Sequence, residues 1–170
     1  PTFLARTAQV VSASLFALSP DGKRVAHEDA TVLTVHGLED GQRLWAQKRH
    51  DVPQPTRALA WSSDGARLAM IQGPRLSIWD AGAGKEIRTF PVGAGPASLA
   101  VFTPDLAYAA ISSATRSEDP ERLVVWNLET GAVAHELFTG CAYLSGMTLS
   151  SDGKHLFVYG PRGFALLARP

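Results

Sequence analysis

The chain has 170 residues, 45% of them hydrophobic and 19% charged, and its acidic and basic side chains cancel to a formal net charge of zero. That balance is globular and excludes a disordered chain. No basic stripe offers the footprint of nucleic-acid binding or of polybasic membrane anchoring, and no apolar run is long enough to cross a bilayer as a helix.

In chain order, the sequence opens at Pro1 without a methionine, which fits a processed chain or a stretch of a longer one. Phe3 to Arg6 reads as a single short strand. Leu18-Ser19-Pro20-Asp21-Gly22 then begins a pattern that returns as Trp61-Ser62-Ser63-Asp64-Gly65, Phe102-Thr103-Pro104-Asp105 and Leu149-Ser150-Ser151-Asp152-Gly153. The period is about 40–47 residues, that of a four-stranded unit. Pro presets the turn, Asp accepts from the backbone two residues on, and Gly takes the positive φ, so each string predicts a hairpin. The runs that follow it, Val25-Ala26, Leu68-Ala69-Met70, Ala107 to Ile111 and Leu156 to Tyr159, are too short for helices and predict second strands.

A second phrase follows in register. Leu76-Ser77-Ile78-Trp79-Asp80 with Gly84 matches Leu123-Val124-Val125-Trp126-Asn127 with Gly131, and Leu33-Thr34-Val35-His36-Gly37 with Gly41 is a degenerate copy. Last strands are expected over 43–48, 87–90 and 133–138. The fourth unit reaches only a third strand, Phe164 to Leu167.

With its Trp79-Asp80 and Trp126-Asn127 strand ends, its Asp-Gly turns and its period, the chain resembles WD40 repeats from about Ser12 to Arg169. The resemblance implies an all-β fold: a β-propeller of about four antiparallel four-stranded blades, near 12–48, 56–90, 97–138 and 142–168, with 3–6 as a closing strand. The family's Gly-His pair is approached only at Arg49-His50-Asp51, and its hairpin Asp only at Asp29. The Ala- and Arg-rich style looks bacterial. A generic propeller of the TolB or peptidase-associated type is the alternative fold. The four blades form a closed small ring, a half-ring that pairs with another copy or chain, or part of a longer propeller. An open arc would leave two blade faces bare as association surfaces.

Catalytic patterns fail on their own terms. Gly82-Ala83-Gly84-Lys85 lacks the Walker glycine at Trp79 and the hydroxyl at Glu86. His135-Glu136 has Thr139 where a zinc helix needs its second His. His27-Glu28-Asp29 reads as a hairpin loop, and extended neighbours would point to opposite faces. Leu144-Ser145-Gly146 lacks the leading Gly of a nucleophile elbow. Cys141 is the one cysteine, which excludes an internal disulfide and fits a reducing compartment such as the cytoplasm. Trp61, Phe102, Trp79 and Trp126 fall at repeat-equivalent positions and are expected to pack between blades. Trp45 on an outer strand is less constrained and a better contact candidate, with burial against the neighbouring blade still the first expectation for it.

The reading is a non-catalytic scaffold or sensor that binds other proteins, with no metal and no cofactor. Two alternatives stand beside it: an accessory propeller of a peptidase, kinase-linked or quinoprotein enzyme, and a structural homo-oligomer of half-propellers. In the propeller family partners meet one loop face, here loops 27–31, 48–55, 72–75, 92–97, 113–121 and 159–163. Arg49 and His50 in one, and Arg116, Glu118 and Asp119 in the longest, are the candidate protein-binding residues.

Overall fold

A computed structural model describes residues 15–29, 32–48, 56–92, 97–113, 122–138, 144–161 and 163–168. All regular structure among them is β, in four antiparallel sheets. The first sheet runs β1 (Leu15–Leu18), β2 (Arg24–Asp29), β3 (Val32–Gly37) and β4 (Arg43–Lys48). The second runs β5 (Thr56–Trp61), β6 (Arg67–Gln72), β7 (Arg75–Asp80) and β8 (Lys85–Pro91). The third runs β9 (Ala97–Phe102), β10 (Tyr108–Ser113), β11 (Arg122–Asn127) and β12 (Val133–Phe138). The fourth has three strands, β13 (Gly146–Leu149), β14 (His155–Gly160) and β15 (Gly163–Ala168). In each sheet the strands lie in sequence order, so every connection is a hairpin. The helix-free, repeated layout is consistent with a propeller-like stack.

The sheets stack in succession through their first strands: β1 against β5, β5 against β9, β9 against β13. Period-two alternation gives each sheet two apolar faces, and the stack buries them pairwise. Ala26, Leu33 and Val35 of the first sheet meet Trp61, Leu68, Met70 and Trp79 of the second. Ala69, Ile71, Leu76 and Ile78 meet Ala109, Ile111, Phe102 and Trp126 of the third. Ala110, Leu123 and Val125 meet Leu149, Leu156 and Val158 of the fourth. Each seam thus joins the front of one sheet, facing onward along the chain, to the back of the next. Fully burying one such Leu, Ile or Trp contributes about 1.5–3 kcal/mol, so the seams dominate the stability of the stack.

The repeat-equivalent aromatics pack between sheets, with Trp61 and Trp79 buried and Phe102 and Trp126 partly buried. Trp45 packs there too, in line with the expected burial against the neighbouring blade: its Nε1 donates to the Ala81 carbonyl at 2.9 Å. The expected loop at His27-Glu28-Asp29 is corrected. These residues end β2, paired with Thr34, Leu33 and Val32. The pleat carries on to the last pair, Asp29 with Val32. Similarly Gln72 and Arg75 are paired strand ends, separated by Gly73-Pro74 alone. The expected strand 3–6 and Cys141 lie outside the described residues.

Candidate functional site

One end of the stack carries the hairpin turns. Ser62 Oγ donates to Asp64 Oδ1 at 2.5 Å and accepts from the Arg67 amide at 2.9 Å, while Asp64 Oδ1 accepts from the Ala66 amide at 2.9 Å. The same lock recurs at Ser19/Asp21 and Ser150/Asp152, and in the third sheet Thr103 Oγ1 and Asp105 Oδ1 accept from the equivalent amides of Tyr108 and Ala107. The hydroxyl, then the backbone amide, holds the carboxyls of Asp21, Asp64 and Asp152 below the ordinary aspartate range. The second turns use the strand-end polar residue: Asp80 Oδ1 accepts from Gly82 and Ala83, and Asn127 Oδ1 accepts from Glu129 and Thr130. This makes Gly82-Ala83-Gly84-Lys85 a hairpin turn.

The turn ends are tied sheet to sheet. Arg24 Nη2 donates to the Gly65 carbonyl at 2.8 Å, and Arg67 Nη2 to the Asp105 carbonyl at 2.9 Å. Arg24 also lies over the Trp61 ring, 4.6 Å from its centroid. With the turns side by side at one end, the described connection Gly73-Pro74 between β6 and β7 lies at the other. The expected contact residues Arg49, His50, Arg116, Glu118 and Asp119 all lie outside the described residues.

The two end sheets present surfaces that sequence reasoning did not name residue by residue. The front of the fourth sheet carries Phe157, Tyr159, Phe164 and Leu166, with Phe157 5.6 Å from Phe164 and 6.0 Å from Tyr159 between ring centroids. The back of the first carries Phe16, Leu18, His27 and His36. The two imidazoles stack at 5.2 Å. His27 is buried with neither ring nitrogen hydrogen-bonded, and burial first, then His36, pushes its pKa below the usual histidine value, while Asp29 opposes the shift.

Among the described residues no group of three or more His, Cys, Asp or Glu converges as metal ligands, and no helix is long and apolar enough to cross a membrane. His135 and Glu136 sit on β12 with opposite facing; Glu136 pairs with Arg122 of β11. A cleft of ≈ 180 Å³ lies between the third and fourth sheets, lined chiefly by apolar groups such as Val125, Leu137 and Leu167. Comparison of the chain with protein-family models and with curated proteins finds no match.

Proposed function

We propose that the chain is a set of WD40-type propeller blades that binds other proteins and performs no chemistry of its own. The observation that carries this reading is the tying of three successive turn ends side by side, Arg24 to Gly65 and Arg67 to Asp105. It gives a stiff stack, and loops on a rigid support are suited to recognition because little entropy is lost when they bind. Arg49, His50, Arg116, Glu118 and Asp119 are the proposed contact residues. The test is affinity capture with quantitative comparison against two loop variants, Arg49→Ala/His50→Ala and Arg116→Ala/Glu118→Ala/Asp119→Ala. A protein captured stoichiometrically by the parent chain and lost by either variant supports the reading. Equal capture by all three, or none by the parent, counts against it.

The exposed apolar faces favour a second reading, association between copies, which concerns the end sheets rather than the loops.

A further inference from the structure

Aligning the four turns sets the equivalent positions. Leu18 occupies the position of Trp61, and Phe164 and Leu166 occupy those of Leu76 and Ile78. Their exposures diverge: 58% against 8% for Leu18 and Trp61, 76% against 0% for Phe164 and Leu76, and 64% against 5% for Leu166 and Ile78. Side chains that are core in the middle of the stack face outward at its ends. Glycines report the same vacancy independently. A β-carbon on Gly65 would lie 2.9 Å from Arg24 Nη2 of the preceding sheet, and one on Gly153 2.8 Å from Pro104 Cδ, but one on Gly22 would meet nothing within 4 Å. Likewise Gly84 lies under the Trp45 ring, whereas Gly41 has no neighbour within 4 Å. Among the described residues the first sheet has the form of a follower with no sheet before it, and the fourth that of a leader with none after it.

We infer that the front of the fourth sheet docks on the back of the first sheet of a second copy, and the converse, so that two four-sheet arcs close into one eight-sheet assembly. All three internal seams join front to back, so each free face is complementary to the other and not to itself. Among the described residues β1 and β13 make no substantial contact, so the chain's own first sheet is not the occupant. A second copy supplies both missing surfaces at once. Two front-to-back contacts related by a twofold leave no apolar face open, whereas a single such contact would propagate into a filament. Leu166, Phe164 and Tyr159 on one side and Leu18 and Phe16 on the other form the seam. The inference rests on the propeller reading for its stacking rule but not on the loop residues.

The experiment is sedimentation velocity of the full chain across a dilution series, with Leu166→Glu and Leu18→Lys alone and mixed. The parent is expected at twice the chain mass. Each variant alone damages both seams and is expected at the single-chain mass, with its far-UV spectrum and cooperative unfolding retained because both positions are exposed. Mixing the two restores the dimer: one seam is then wholly native and the other sets Glu against Lys. A parent chain that is monomeric at every concentration overturns the inference, as does an open series of larger species. A Leu18→Lys chain that remains dimeric overturns it too, since that marks front-to-front pairing. Loop variants that lose a foreign partner while dimerising normally would separate failure of the scaffold reading from failure of this one.

Discussion

Leu106 sits at φ 50° in the place that Gly65 fills at φ 68° in the preceding sheet, the one described non-glycine residue with a positive φ. The same turn is made by Gly22 and Gly153, also at φ 68°. A β-carbon in this region costs roughly 1–2 kcal/mol, yet Leu106 is buried in the seam between the second and third sheets. Removing a buried Leu side chain costs about 2–5 kcal/mol. Packing therefore outweighs strain, and Leu106→Gly is expected to destabilise by about 2 kcal/mol net in urea unfolding. A more stable variant would show that strain dominates.

The Ser-Asp locks set a second expectation. Ser62 is buried, and Ser62→Ala leaves the Arg67 amide and Asp64 without their hydroxyl partner, a loss of about 1–3 kcal/mol. The three lowered aspartates bind protons more readily when unfolded. Their contribution is thus complete above the unfolded aspartate value, about pH 4, and is lost as pH falls through the lower folded values. Acid melts of the parent and of Asp21→Asn/Asp64→Asn/Asp152→Asn should differ in slope only below about pH 4; parallel curves there would refute the assignment.

Gly84 and Gly41 offer an internal control for the seam between the first two sheets. Both adopt left-handed φ, 65° and 70°, but only Gly84 has the Trp45 ring 2.7 Å from a would-be β-carbon. Gly→Ala at either site carries a similar backbone cost of about 1–2 kcal/mol. Gly84→Ala must in addition push the Trp45 ring away from its Ala81 hydrogen bond, an excess of about 1 kcal/mol. Equal thermal destabilisation by the two substitutions would mean that Trp45 does not hold the seam.

These features differ in how plainly the residues announce them. Turns were legible because Ser-x-Asp-Gly has one low-energy use, and the strands because alternation on either side of those turns is too short for a helix. The break in the pattern at Asp105 hid Leu106, since the missing Gly gives no sign that a core side chain replaces it. Burial of Trp45 against the next sheet was legible, but its partner there, the Ala81 carbonyl, leaves no mark beside it in sequence. His27 to Asp29 looked like a loop because polar residues at a strand end are indistinguishable from a turn until their partners, Thr34 to Val32, are known. Alternation also showed that both faces of Leu18 and Leu166 strands are apolar, but not which of them lack a neighbour.

His27 stands where Met70, Ile111 and Val158 stand in the other sheets, each of them buried in a seam. Its ring is buried, stacked on His36 from β3, and has Asp29 as the nearby carboxylate from its own strand. With the folded pKa below the unfolded one, the unfolded state takes up a proton first as pH falls. Stability is then full above about pH 6.5 and declines below it, levelling off once pH has passed the depressed folded value. His27→Met supplies the side chain that the second sheet uses at this position and removes the titration. Thermal melts should show the parent losing stability as pH falls below about 6.5 and the variant holding nearly constant over the same interval. Matching declines in the two proteins would move the pH dependence to another group and leave His27 with a packing role alone.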